Sequence, residues 1–316
     1  MGRFVEADSP AMDALVAETV AKVGAEVEAL RIPRLGGVVL GGGYGRGEGG
    51  VIADGGGERL SNDLDFYVVS EEGASSGDLA AIDAALAPVA ARWTKRLRVD
   101  VDFCPAKTPW RIRHDQERVM IQELLHGYVD VAGKRGEELF RSVERRGPEM
   151  FPWMEAARLL MNRGAGLLFA LVSEDPEFVA RNLNKCVLGA GDARLITRRQ
   201  YKWKVKDRAV ALGDPLYSAA VKWKFRPCRE AVCDWEEARR TWLDAEAAVM
   251  ETGRAEGATR RSLYQAARWV VRRRSLGELR TFGQDAVVRA LRRIAGAVKS
   301  RRAMDASLER DWLVFN

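Results

Sequence analysis

The chain has 316 residues, 30% of them charged and 47% hydrophobic, with a formal net charge of +6. That balance belongs to an ordinary globular protein with length enough for two domains, and it excludes a disordered chain. No run approaches the roughly 20 apolar residues of a membrane span. The N-terminus MGRFVEADSPAMDAL has no apolar h-region, so we read no signal peptide and expect no membrane partner. Four cysteines do not make a disulfide scaffold, and a cytoplasmic location is expected. The positive charge hints at an anionic partner only mildly, because 51 Lys and Arg stand against 45 acids.

Residues 11–30 carry apolar side chains at helical spacing, and Pro33 ends that helix. Gly37-Val38-Val39-Leu40 reads as a buried strand entering the glycine cluster GGGYGRGEGG at 41–50. The glycine-rich stretch onward to Leu60 reads as a flexible loop. Residues 63–69 read as a strand and 77–95 as a helix. Residues 97–103, LRVDVDF, alternate strictly and predict a half-buried strand closed by Pro105. A helix over about 112–126 and a short strand at 128–132 follow. After Gly147-Pro148 the pattern is helical to the C-terminus. The expected fold is α+β: a mixed sheet with flanking helices in residues 1–148, then an all-helical domain in 149–316.

Residue types narrow the chemistry. Cys104, Cys186, Cys228 and Cys233 form no CxxC pair, and His114 and His126 are not in HExxH spacing, so zinc has no footing. Free thiols are the plain reading of the cysteines. A serine or cysteine triad needs one of only two histidines, and neither lies in a nucleophile motif. Gly45-x-Gly47-x-x-Gly50 matches a dinucleotide fingerprint, but GEGGVIADGGG is a poor helix start, and no Walker A lysine follows the glycines.

The carboxylates are more informative. Asp63 and Asp65 are two apart on a strand, so they share a face with Cβ atoms about 7 Å apart. Asp100 and Asp102 repeat the arrangement on another strand. Several acids on one face repel one another unless a cation neutralises them. Magnesium takes oxygen ligands and keeps positions open for phosphates, and two such ions can hold both oxygens of an in-line phosphoryl displacement. A strand ending in glycines lets backbone N–H groups approach a polyphosphate, and Arg46 in that cluster could add a charge-assisted contact.

This order of parts resembles the nucleotidyltransferase superfamily that includes DNA polymerase beta. The residues that carry the resemblance are Leu40-Gly41-Gly42-Gly43-Tyr44-Gly45-Arg46-Gly47-Glu48, then Asn62-Asp63-Leu64-Asp65-Phe66, then Val99-Asp100-Val101-Asp102-Phe103. Together they span about residues 35–105. The resemblance implies that Asp63, Asp65 and a third carboxylate hold two magnesium ions. Asp100 is preferred over Asp102 as the third, because Asp100-Val-Asp-Phe-Cys-Pro resembles a polymerase run Asp-Val-Arg-Leu-Ile-Pro. Gly42, Gly43, Tyr44 and Arg46 would then hold the triphosphate. Two features depart from the family pattern: Gly43 stands where a serine is usual, and the loop from Gly43 to Asp63 is long.

In the helical half, Lys185 and Asp192 are seven residues apart on one helix face. Lys185 could reach a triphosphate and Asp192 could serve as a base, although surface charge and a salt bridge are the plainer readings. Tyr201-Lys-Trp-Lys-Val-Lys and Val221-Lys-Trp-Lys-Phe-Arg interleave cations with aromatics, which suits either stacking on bases or helices that bury Trp and snorkel Lys. Arg272-Arg273-Arg274, Arg292-Arg293 and Arg301-Arg302 read as solvated faces or an RNA surface. An Arg-x4–6-His nuclease motif is ruled out there, since both histidines precede residue 127.

The expected activity is transfer of a nucleoside monophosphate from an NTP, ATP being favoured, to an acceptor hydroxyl with release of pyrophosphate. A small molecule or protein is the favoured acceptor, with RNA as the other option. The alternatives are a non-catalytic nucleotide-binding relative and a tRNA-modifying toxin.

Overall fold

The computed structural model describes residues 2–255 and 284–315. The run Arg272-Arg273-Arg274 lies outside the described residues. The architecture is α+β, and the chain divides into two compact units. One comprises Met1–Arg146 with Lys224–Pro227, the other Gly147–Trp223 with Cys228–Asn316.

The first unit is built on a four-stranded mixed sheet in the order β5-β4-β1-β6. Its strands are β1 (Leu35–Leu40), β4 (Leu64–Ser70), β5 (Val101–Lys107) and β6 (Val129–Gly133). β4 runs parallel to β5, and β1 is antiparallel to both β4 and β6. α1 (Pro10–Ala29) starts where the Ser9 hydroxyl accepts from the Met12 N–H. α3 (Ser76–Leu97) starts on a reciprocal capping box between Ser75 and Asp78. These two helices cover one face of the sheet. Val16, Val20, Val23, Ile82, Leu86 and Trp93 pack there on Val38, Leu40, Leu64, Phe66 and Val101. The opposite face takes Ile112 of α4 (Pro109–His114) and Ile121, Leu124 and Leu125 of α5 (Val119–Leu125) against Val39 and Val69. Period-two alternation thus gives β4 two faces: Leu64 and Phe66 inward to α1 and α3, Asp65 and Tyr67 to the α5 side.

Four sequence expectations change, the first being that the helix expected over about 112–126 is two short ones, α4 and α5. The stretch expected as a flexible loop before Leu60 folds as a hairpin, β2 (Val51–Asp54) paired with β3 (Gly57–Leu60), because Val51 and Leu60 bury into the core cluster. The expected strand 97–103 starts later, since Leu97 still belongs to α3 and Arg98 caps that helix in the left-handed conformation. Nor does Pro105 close β5. The strand lies at the sheet edge and pairs only with β4, so a residue without an N–H is tolerated beside the register shift that follows Tyr67.

The second unit is helical. α7 (Trp153–Ala170) packs on α8 (Pro176–Thr197), α11 (Trp235–Ala255) and α12 (Gln284–Lys299), and α13 (Ala306–Phe315) lies against α7. Trp242 is fully buried there, its indole N–H donating to the Leu160 carbonyl. Between α8 and α11 run α9 (Val205–Leu212) and α10 (Pro215–Phe225). The end of α10 contributes Lys224–Pro227 to the first unit. Among the described residues no helix is long and apolar enough to cross a membrane.

Candidate active site

The site forms where β1 ends. The Gly41 N–H donates to the Asp65 carbonyl at 2.9 Å, holding the exit of β1 against β4. Gly42 then turns the chain at φ +60°, where a Cβ would stand 2.1 Å from Asp65 Oδ2. The Asp65 carboxylate therefore lies directly on the glycine turn, and only a residue without a side chain leaves it there. A single helical turn follows, α2 (Gly42–Gly45), whose first N–H groups have no partner within the turn.

The cluster is tied from inside. Tyr44 is 1% exposed; its hydroxyl donates to the Gly50 carbonyl at 2.8 Å and accepts from the Ser61 N–H at 3.1 Å. It joins the glycine turn to the segment entering β4, so the Tyr44 side chain is taken up by a structural contact. Arg46 is likewise engaged. Its Nη1 lies 3.1 Å from Glu123 and its Nε 3.4 Å from Glu48, with 14% of the side chain exposed. Using Arg46 on a phosphate would strip two largely buried carboxylates of their cation, a cost of several kcal/mol. Arg46 thus anchors the cluster to α5. Phe4 and Glu6 bond the Gly49 backbone from the N-terminal side.

A different cation reaches the glycines. Lys224 Nζ donates to the Glu48 carbonyl at 2.7 Å and lies 3.8 Å from where a Cβ on Gly43 would stand. Sequence reasoning passed over it. The available signal was its place in Val221-Lys-Trp-Lys-Phe-Arg, but nothing in that motif says which lysine reaches a turn 176 residues away. Glu123, the partner of Arg46, carries no sequence signal at all.

The acids line up by strand register. Leu64 N–H donates to the Asp100 carbonyl, and Asp65 pairs with Asp102 across the parallel strands. Asp102, not Asp100, is therefore level with Asp65. Asp63 and Asp100 stand one step before the strands begin, both exposed. On the other face Phe66 and Phe103 stack with ring centroids 5.1 Å apart, which holds the two strands in this register. Asp102 is exposed as well, yet partial desolvation by the strands around it raises its carboxyl above the usual carboxylate range, and the nearby charges of Asp63 and Asp100 add to it. Behind the acids the same face turns neutral. Burial, with Asp65 and Asp102 nearby, pushes the Cys104 thiol up to about 12.

These residues form no ready-made metal cage; among the described residues no three acidic, cysteine or histidine side chains group around one point. A magnesium ion does not need one. It is commonly held by one or two carboxylates with waters and substrate phosphates completing the shell. Two carboxylates at the same level on adjacent strands, beside a glycine turn, fit that kind of site.

Desolvation at Asp102, with repulsion from Asp63 and Asp100, makes a testable statement about stability. Its carboxyl binds a proton more tightly in the folded chain than the ordinary value of 3.8. The charged form therefore destabilises the fold once pH rises above the folded value, and the penalty vanishes below 3.8. Asp102→Asn is expected to raise the melting temperature at pH 7 in chelator-treated buffer, with the gain gone at and below pH 3.8. Paired melts of wild type and variant across that range check it, and a lower melting point at pH 7 counts against the repulsion.

The remaining sequence candidates lie in the second unit. Asp192 accepts from the Tyr217 hydroxyl at 2.6 Å and pairs with Arg208 at 2.8 Å, so it is a structural anion rather than a base. Tyr201 is buried and its ring, with Trp203, packs edge-on to Phe151, while Lys202, Lys204 and Lys206 are exposed. Tyr201 is core, Trp203 is half-buried beside it and the lysines face outward, the arrangement of a segment that buries aromatics and snorkels Lys. Arg293 pairs with Asp311, Arg301 with Glu236 and Arg302 with Asp305, which are ordinary surface ion pairs. Lys185 lines a cleft between α7 and α8.

The sequence matches no protein-family model and no curated protein.

Proposed function

We propose that the first unit is a magnesium-dependent nucleotidyltransferase that moves a nucleoside monophosphate from an NTP, ATP being favoured, to an acceptor hydroxyl. The observation that carries this reading is the contact of Asp65 with the Gly42 turn, level with Asp102 on the neighbouring strand. It joins an acidic edge to a backbone that a polyphosphate can approach closely. The resemblance of the three motifs to the nucleotidyltransferase superfamily supports the same reading.

Asp63, Asp65 and Asp102 are the residues to hold magnesium, which when bound supplies neutralisation of the triphosphate charge. Asp102 takes the place first given to Asp100, because register puts it beside Asp65. Gly42 and Gly43 offer close backbone approach, and Lys224 rather than Arg46 supplies the protein cation at the turn. Rate enhancement comes from positioning and charge complementarity.

Incubation with magnesium, α-labelled NTPs and a cell extract tests the reading. Label is expected to move to an acceptor with release of pyrophosphate, and the Asp63→Ala/Asp65→Ala double variant to be inactive. Equal labelling by both overturns the assigned site. Lys224→Met is expected to raise the KM or Kd for NTP about tenfold with a smaller change in kcat, the size of one charge-assisted hydrogen bond. Lys224→Arg keeps most of the affinity, and a Lys224→Met variant with wild-type KM removes this lysine from the site.

The absence of a hydroxyl at Gly43 favours a second reading, a non-catalytic nucleotide-binding relative. Such a protein binds NTP without dependence on magnesium and releases no pyrophosphate.

A further inference from the structure

The second unit has a cleft of its own, made by residues that the acids and the glycine turn do not include. It opens between α7 and α8, with Trp312 of α13 at its side. Helical spacing presents Asn162, Arg163, Gly166 and Phe169 from α7, and Phe178, Asn182 and Lys185 from α8. Two glycines shape it. A Cβ on Gly166 would stand 2.6 Å from Asn182 Oδ1, filling the floor. A Cβ on Gly189 would stand 2.3 Å from Arg163 Cγ, so the bare backbone there lets the arginine stem lie along α8 toward Lys185. The volume is about 460 Å³, within the range of small-molecule sites.

The lining is chemically one-sided. The described residues bring two cations, two carboxamides and three aromatic rings, and no carboxylate. They are also pre-ordered. The Trp312 indole N–H donates to Asn162 Oδ1 at 3.4 Å, its ring lies edge-on to Phe169, and Asn182 Nδ2 donates to the Phe178 carbonyl at 2.9 Å. Little further ordering is needed on binding. We propose that this cleft binds a small aromatic anion, a flat ring bearing a phosphate or carboxylate group. The ring lies among Phe169, Phe178 and Trp312, and the anionic group meets Lys185 and Arg163. A purely apolar ligand would offer the two cations no hydrogen-bond acceptor, and a ringless anion would leave the aromatic wall wet.

Calorimetric titration of the full chain in EDTA tests this without engaging magnesium-dependent binding at the acids. The probes are AMP, phenyl phosphate and benzoate, with adenosine and inorganic phosphate as half-ligands. At least one aromatic anion is expected to bind, tenfold or more tightly than its half-ligands. The difference between phenyl phosphate and benzoate shows which anionic group is preferred. Lys185→Met and Trp312→Leu are each expected to weaken it about tenfold, Lys185→Arg to restore it, and Asp63→Ala/Asp65→Ala to leave it unchanged. Melting curves exclude loss of fold as the cause. Three outcomes overturn the proposal: no aromatic anion binds, phosphate binds as tightly as phenyl phosphate, or the double aspartate variant loses binding that Lys185→Met keeps. Because the assay is metal-free, its failure is separate from failure of the nucleotidyltransferase reading.

Discussion

Asp65→Asn is expected to lower the proposed nucleotidyl transfer by on the order of 10³-fold while shifting the melting temperature by no more than about 2 °C. Asn is nearly isosteric, so the carboxamide still fits beneath the Gly42 turn, where one Asp65 oxygen already lies closer than any Cβ could. What changes is charge. The acid edge loses one negative group, one of the two carboxylates, Asp65 and Asp102, that the proposed magnesium site rests on. Stability suffers little, because the substitution keeps the shape of the side chain and removes one negative charge from an edge that also carries Asp63, Asp100 and Asp102. Asp83 provides the contrast. It accepts from the Ala106 N–H at 2.8 Å and holds β5 to α3, so Asp83→Asn is expected to lower the melting temperature and leave the transfer chemistry largely intact. Labelled transfer and thermal melts on both variants separate the two roles. An Asp65→Asn protein with more than a tenth of wild-type activity would remove Asp65 from the reaction.

Gly42→Ala carries the second large effect, and it acts on stability and activity together. At φ +60° an L-residue costs about 1–2 kcal/mol through its Cβ. That Cβ would also overlap Asp65 Oδ2, so the carboxylate must swing out of its place beside Asp102. A displacement of about 1 Å at a reacting centre costs on the order of 100-fold in rate. The expected variant is folded, less stable by the left-handed penalty, and at least that much slower. Gly43→Ala is the stability control. Its φ is not positive, and its nearest contact would be the Glu48 carbonyl at 3.4 Å, so it should melt close to wild type. Equal destabilisation of the two variants would mean that the Gly42 backbone is not the constraint.

Much of the site was legible because strand alternation is local. Two acids separated by one residue must share a face if the segment is a strand, and a glycine cluster after an apolar run marks a tight turn. Which acids meet was not legible. That depends on register, and register depends on where α3 ends, on the left-handed Arg98 and on the stacked Phe66 and Phe103. The interior partners of Tyr44 and Arg46 were not legible for a related reason: Gly50, Ser61 and Glu123 become their neighbours only once the hairpin and α5 are in place.

Composition and local pattern alone determined the α+β class and the helical character of the second half, since these follow from side-chain period and backbone preference within a few residues. The tertiary structure decided that Asp102 rather than Asp100 stands beside Asp65, and that Lys224 rather than Arg46 lies over Gly43. Those choices rest on contacts between residues tens to hundreds of positions apart, where packing and hydrogen bonding, not local preference, set the distance.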